Sequence, residues 1–435
     1  MMEICRMRVG MGNSESRSFW KEFVHFFRYH SDQVKQGGWS VMLRKFRTFL
    51  GLVPFMPLTI PVVLIVRALR PVVLIRFGPL RSERIGHLAA NTESYLCRCD
   101  AGLDNQRAFD IFYHRAPACN RQLKKMWDRT LHVCRLVGPL DKFNRNLPGG
   151  GNHIILWPEW GDRDIEGLLP RTPVHLSFTP EEEQLGHNGL RAMGVPEGAP
   201  FICFHSRDAE YLKAAFPNVH SRGHDYRDSN IRHHVSAAEE MTRRGYYAFR
   251  MGAVVKEVLQ TTNPMVIDYA TNYRSDFMDI YLCAKCYFYI GDDCGLNRVA
   301  TIFRRPMATV NQIPIDLIHT QGKNDLFILK KLWSPAENRF LKLREIIKMG
   351  AGSYTRTVQY EQAVIEPVEN TPEEICGLAV EMDERLKGTW QAAEEDEELQ
   401  RRFWSIFKLS AKELHGIIES RIGADFLRRN RELLE

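Results

Sequence analysis

Short apolar runs recur between residues 201 and 310, and each gives way to a polar, glycine-marked or arginine-bearing segment. The runs are Phe201–His205, Gly245–Arg250, Met265–Tyr269, Cys286–Ile290 and Met307–Val310. Their length and spacing predict strands of one parallel sheet. Ile231, Val235, Ala238 and Met241 recur at helical spacing and predict a helix over about 229–244, with a second over about 275–285. Open sheets of this class bind ligands beyond the carboxyl ends of their strands. The segments His205–Asp208, Arg250–Gly252, Asp268–Ala270 and Gly291–Gly295 are therefore expected to line a pocket.

Upstream, Pro71–Phe77 predicts the first strand of an N-terminal α/β domain, followed by a loop through Gly86 and a helix starting near His87. Further strands are predicted at 107–114, 131–136 and 153–157, with a helix at about 118–127. Residues 162–179 show no period and read as a linker. Thr179-Pro-Glu-Glu182 then opens a helix with a capping box and a proline at its first position. Leu414, Ile417, Ile418, Ile422, Phe426 and Leu427 predict a terminal helix over 412–434 that packs back on the body. The acidic run Glu394–Glu398 reads as solvated. These elements divide the chain at 1–69, 70–178, 179–390 and 391–435, the last an acidic linker with the terminal helix.

Charge changes the picture only at the N-terminus. The net charge is +6 over 435 residues, yet residues 1–90 hold 14 Lys and Arg against 5 Asp and Glu, so the remainder is slightly acidic. The basic region adjoins the 19 uncharged residues from Thr48 to Val66. Their length would span a bilayer core, but Pro54, Pro57 and Pro61 interrupt helix hydrogen bonding. A kinked anchor lying in one leaflet, a span, and an apolar element packed on the protein's own core all fit. A basic segment beside an apolar one suits an anionic membrane surface and argues against a nucleic-acid partner. The ten cysteines include Cys97-Arg-Cys99 and Cys283-Ala-Lys-Cys286, neither with a second pair at zinc spacing. They read as reduced cytosolic thiols, with no metal site and no cofactor expected.

The candidate chemistry gathers at strand exits. Gly291-Asp-Asp-Cys-Gly295 passes from a strand into a helix, a turn whose backbone N–H groups suit a phosphate. Asp292 and Asp293 would repel a bare phosphate and are expected to take sugar hydroxyls or cap the helix. Arg207, Arg250 and Arg227 offer planar forks matched to phosphate oxygens, able to neutralise a diphosphate leaving group without a metal. His87, at a strand–loop–helix turn, is the preferred base, with His205, Asp208, Glu159 and Asp162 as weaker candidates.

Two Rossmann-like domains, the Gly86-His87 turn, the Gly291–Gly295 loop and a returning final helix resemble a GT-B glycosyltransferase. More closely, Ile75–Leu88, Tyr226-Arg-Asp-Ser-Asn230, Arg250-Met-Gly252, Ile267-Asp-Tyr-Ala270 and Gly291–Gly295 resemble glycosyltransferases of bacterial surface-polysaccharide gene clusters. The resemblance covers about residues 70–350. It implies two domains facing across a cleft and metal-independent transfer from a nucleotide-sugar donor to a glycan or lipid-linked acceptor. The donor would sit on Arg207, Arg227, Arg250, Gly291, Asp292, Asp293 and Gly295. Arg84, Gly86, Glu159 and Asp162 would lie on the acceptor side, His87 would act as base, and the enzyme would work at the cytoplasmic face of the bacterial inner membrane. Two alternatives are a nucleotide-sugar epimerase of the same fold and a non-catalytic glycan-assembly protein.

Overall fold

A computed structural model describes residues 56–104, 107–157, 163–215, 221–318, 322–407 and 417–435, with the single positions Trp39 and Leu43. The chain forms two compact units, each assembled from separated stretches. The first comprises residues 1–83, 98–119 and 127–161, and the second residues 84–97, 120–126 and 162–435.

In the second unit seven parallel strands form one sheet. In chain order they are β3 (Phe201–His205), β4 (Tyr247–Arg250), β5 (Val266–Ile267), β6 (Tyr289–Asp292), β7 (Met307–Gln312), β8 (Leu326–Leu329) and β12 (Arg421–Ile422). In space they run β12-β8-β7-β6-β3-β4-β5. The chain thus winds outward from β3 to one edge, returns, and winds outward from β6 to the other. That order defines a doubly wound sheet, and the direction reverses between β3 and β6. Right-handed crossovers place the two sets of connecting helices on opposite faces, which is why the strands are buried throughout and read as near-continuous apolar runs. Helix Val235–Arg243 packs on β4 and on helix Pro372–Lys387, which also meets β7 and β8. Helix Asp276–Lys285, capped by the Ser275 hydroxyl, packs on helix Asn297–Ile302, which lies on β6 and β7.

The capping box at Thr179 forms as the sequence predicts, with Glu182 N–H donating to the threonine hydroxyl and the Glu182 carboxylate accepting from Thr179 N–H. The C-terminus differs. Within 417–435 the chain forms β12, helix Ala424–Arg429 and a short 3-10 turn rather than one helix, because Arg421 and Ile422 pair with Leu326 and Phe327 at the sheet edge. Of the apolar positions taken for a helical stripe, Leu414 lies outside the described residues, Ile417 and Ile418 precede β12, Ile422 is in the strand, and Phe426 and Leu427 are in the helix. The acidic run is also not wholly solvated, since Asp396 is buried and receives Arg428 Nη1 at 2.5 Å. A small antiparallel sheet of β9 (Lys331–Ser334), β10 (Arg339–Phe340) and β11 (Glu366–Val368) lies outside every predicted element, as does β8.

The first unit holds β1 (Leu74–Leu80) paired in parallel with β2 (Ala108–His114). The strands predicted at 131–136 and 153–157 reduce to single bridges, Phe112 to Val133 and Phe77 to Ile154. Helix Val137–Arg145 follows at once and leaves Leu136 exposed. A complete Rossmann-like sheet is therefore not present among the described residues of this unit. Inside it Arg76 is buried between Asp110 at 2.6 Å and Asp104 at 2.7 Å, which satisfies a charge that could not stand alone there.

Of the uncharged N-terminal run, 48–55 fall outside the described residues and the rest begins helix Met56–Ala68, with Pro61 inside it. Thr59, Val63 and Val66 are buried, and the helix packs on helix Val137–Arg145. Leu58, Val62, Ile65 and Leu69, spaced by three or four residues, stay exposed along another side. Among the described residues no helix is long and apolar enough to cross a membrane.

Candidate functional site

The reversal between β3 and β6 leaves their carboxyl ends side by side, with His205 opposite Gly291. Gly291 is required at that point: a Cβ there would fall 2.5 Å from the His205 carbonyl oxygen. Beyond the pair, the chain continues as Ser206-Arg207-Asp208 on one side and Asp293-Cys294-Gly295 on the other. The segment Tyr226–Asn230 closes over both.

Asp292 ties these loops together. It is 2% exposed, and its carboxylate accepts from Arg207 N–H at 2.7 Å, from Asn311 Nδ2 at 2.8 Å and from the Ser229 hydroxyl. Ser206 Oγ donates to the Ser229 carbonyl at 2.7 Å, adding a second stitch. Asp293 is equally enclosed, receiving Arg227 Nη2 at 3.0 Å and Arg298 Nη2 at 2.5 Å. Both carboxylates thus hold the loop and its arginines, where sugar hydroxyls or a helix cap were expected.

The cations converge here. Arg207 donates to the Asp228 carboxylate and, at 3.1 Å, to the His224 carbonyl. Lys330, buried just after β8, donates to the carbonyls of Asp228 at 2.6 Å and Tyr226 at 3.2 Å. Burial pulls the Lys330 and Arg207 pKa values down, and Arg227 adds to the effect on Arg207. Burial also pushes the Asp228 carboxyl up to about 6, against the opposing pull of Arg207. The His224 imidazole is held below its usual range by burial and then by the charges of Arg227, Arg207, Arg84 and Arg356. Crowded, partly desolvated cations of this kind gain when an anion with fixed negative charge enters.

At the floor of the site Cys294 Sγ lies 3.5 Å from His205 Nδ1. Burial alone would raise the thiol, but His205 and the N–H groups of Asn297 and Leu296 outweigh it and the pKa is lowered. His205 is correspondingly raised: burial works the other way, and Cys294 and Asp292 prevail.

The Gly86 turn belongs to the same unit and packs directly on this loop, since a Cβ on Gly86 would fall 2.8 Å from the Gly295 Cα. It brings exposed Arg84 and half-buried His87 with it. His87 Nδ1 lies 3.2 Å from Asn91 Oδ1; with Nδ1–H as the donor, the ring's lone pair is on Nε2, the atom a general base uses.

Arg250 stands apart from the expected donor set. It is 2% exposed and spends its guanidinium on Asp268 Oδ1 at 3.0 Å, the Glu257 carbonyl at 3.1 Å and Thr271 Oγ1 at 3.4 Å. Asp268 in turn accepts from Leu259 N–H at 2.8 Å, so the pair fastens the loop after β4. Asp208 acts likewise, accepting from Lys256 N–H at 3.1 Å. Glu159 and Asp162, expected on the acceptor side, lie outside the described residues.

Lys330, Asn311, Arg298 and Asp228 were not singled out from the sequence. Lys330 and Asn311 lie far along the chain from the motifs they serve, and only Asp228 stood inside a quoted motif. A cavity of about 340 Å³ lined by Pro200, Phe201, Tyr281, Lys285 and Arg305 opens at the opposite, amino end of β3, away from these groups.

The chain matches no family model and no curated protein. Among solved structures it is similar to a glycosyl transferase family 9 protein from Veillonella parvula, with TM-score 0.33 and 9% identity over 55% of this chain and 80% of that one. It is similar also to E. coli ADP-heptose LPS heptosyltransferase II, with TM-score 0.31 and 13% identity over 55% and 86%. A third is the iron-containing dodecameric glycosyltransferase TibC from enterotoxigenic E. coli, with TM-score 0.31 and 9% identity over 55% and 61%. Scores of this size leave the reading of the site to the chain's own residues.

Proposed function

We propose that the chain is a glycosyltransferase that moves a sugar from a nucleotide-sugar donor to a glycan or lipid-linked acceptor in assembly of the bacterial cell envelope. One observation carries the reading: Arg207, Arg227 and Lys330 converge where the strand order reverses, the place at which doubly wound sheets hold phosphorylated ligands. The donor diphosphate lies across the ends of β3 and β6. Arg207 and Arg227 turn from their carboxylate partners to its oxygens, with the Gly291–Gly295 loop beside it.

The acceptor hydroxyl oxygen attacks the anomeric carbon as the bond to the diphosphate breaks. His87 Nε2 takes the hydroxyl proton, and the arginines stabilise the charge that builds on the leaving nucleoside diphosphate. The two guanidinium groups supply this stabilisation without a divalent ion at the diphosphate. A screen of nucleotide sugars that follows released nucleoside diphosphate tests the activity. Turnover is expected to proceed equally with magnesium and manganese omitted or supplied at millimolar concentration, and a strict requirement for either would replace the arginine model.

The N-terminal region supports work at a membrane, which this reading places at the cytoplasmic face of the inner membrane. The exposed Leu58, Val62, Ile65 and Leu69 present apolar area, and the basic residues around them suit anionic headgroups. Each such charge near the surface contributes on the order of 1 kcal/mol. The full chain is expected to float with anionic vesicles and to be loosened, not released, by salt. Replacing Leu58, Val62, Ile65 and Leu69 with Ser is expected to make it fully salt-extractable. Equal retention of that variant would assign the stripe to protein packing.

A further inference from the structure

A second cluster of titratable side chains is built on other elements of the second unit. Helix Ile85–Asp100 carries Glu93 and Cys97 four residues apart, one above the other on a single face. His175 reaches them from the irregular segment before helix Pro180–Ala192. Glu93 and Cys97 are each 1% exposed. Glu93 Oε1 stands 3.1 Å from His175 Nδ1 and 3.9 Å from Cys97 Sγ, and one donor atom from each residue lies within 4.8 Å of the other two. Zinc bonds of about 2.0–2.3 Å in a tetrahedron put donor atoms roughly 3.3–3.6 Å apart, and the two Glu93 spacings fall on either side of that range while the Cys97–His175 spacing lies within 4.8 Å.

A second observation points the same way. Glu93 Oε2 is buried with no hydrogen-bond partner, whereas buried carboxylate oxygens are ordinarily satisfied and costly when they are not. Arg304 does not fill that role. Its Nη2 donates to Oε1 at 2.7 Å and lies 3.7 Å from Cys97 Sγ, which also receives the Thr172 hydroxyl at 3.0 Å, and the same guanidinium is anchored by the carbonyls of Leu169 at 2.7 Å and Pro173 at 2.9 Å. Arg304 holds this place from a left-handed backbone conformation, φ 59°. It therefore fixes one carboxylate oxygen, as groups around metal ligands commonly do, and leaves the other uncommitted.

We propose that Glu93, Cys97 and His175 form a binding site for a divalent transition-metal cation, zinc by preference. The donor set decides the class: a thiolate and an imidazole beside one carboxylate suit zinc and exclude magnesium and calcium, which take oxygen ligands. Binding expels the Cys97 proton, and the thiolate and carboxylate charges are set against the cation and the neighbouring arginine. Three protein donors leave a fourth position for water or another ligand. The site stands independently of the transferase reading, whose arginine cluster uses none of these residues.

The test is cobalt titration of the purified full chain after chelator treatment, with bound metal measured by mass spectrometry. About one equivalent is expected, with a near-ultraviolet thiolate-to-cobalt charge-transfer band that zinc displaces. Cys97→Ser and His175→Ala are expected to weaken binding at least tenfold. In the unmodified chain zinc should slow alkylation of Cys97, read by peptide mass spectrometry, a measurement that needs no variant to fold. Absence of the band, a band undiminished in folded Cys97→Ser, or unprotected Cys97 at saturating zinc would each overturn the proposal.

Discussion

Replacing Asp292 with Ala is expected to cost about 3 kcal/mol or more of stability and to abolish tight nucleotide-sugar binding. The carboxylate accepts from three donors on three separate segments, Arg207 N–H, Asn311 Nδ2 and the Ser229 hydroxyl, at 2% exposure. Removing it leaves two nitrogen donors facing a cavity, each costing about 1–3 kcal/mol when unsatisfied, while the serine hydroxyl can rotate. Asp292→Asn keeps the shape but turns an amide NH2 towards a donor, so it is expected to recover only part of the loss. Urea unfolding of the three chains reads the stability, and calorimetry on those that remain folded reads the binding. An alanine variant as stable as the parent would mean that the loops are held by something other than this carboxylate.

The second large effect belongs to Arg207. A charge-assisted bond from a guanidinium to phosphate contributes about 1.5–3 kcal/mol, so Arg207→Ala is expected to weaken donor binding roughly 10- to 150-fold. Arg250→Ala, by contrast, is expected to act first on stability, since it strands the Asp268 carboxylate inside the fold. Equal donor affinity in folded Arg207→Ala, measured by calorimetry, would remove it from the site.

The Arg207–Asp228 pair adds a pH signature. Burial raises Asp228 to about 6, so the folded chain takes up this proton before the unfolded one does, and the contribution to stability increases as pH falls through about 6. Protonation also frees Arg207 for the ligand, while a nucleotide-sugar diphosphate keeps its charge. Donor affinity is therefore expected to rise several-fold between pH 7.5 and 5.5 in the parent and to be higher and flat in Asp228→Asn.

The period and length of the apolar runs determined five of the seven strands in the sheet of the second unit, because strands covered on both faces must be apolar at nearly every position, while β8 and β12 were not read from them. β3 matches the predicted run from end to end, and the other four fall within a few residues of theirs. The Thr179 cap and the Ser275 helix were legible for a similar reason, since both depend on side chains within three residues of one another. The strand-exit rule placed Arg207, Gly291 and Asp292 at one edge without further help.

What the sequence did not determine was which polar groups face one another. Arg207 and Arg250 follow adjacent strands and read alike, yet one meets Asp228 at the strand-order reversal and the other is enclosed by Asp268 and the loop after β4. Lys330 and Asn311 join the site because β7 runs beside β6 and β8 beside β7, a matter of strand order that no local pattern encodes. Likewise Cys97-Arg-Cys99 had no second cysteine pair at zinc spacing, and His175 reaches Cys97 from 78 residues away only when the helix and the irregular segment are packed together. Apolar periodicity is a local property and survives in one dimension. The pairing of charges is decided by burial and by neighbours distant in sequence, and it exists only in the folded chain.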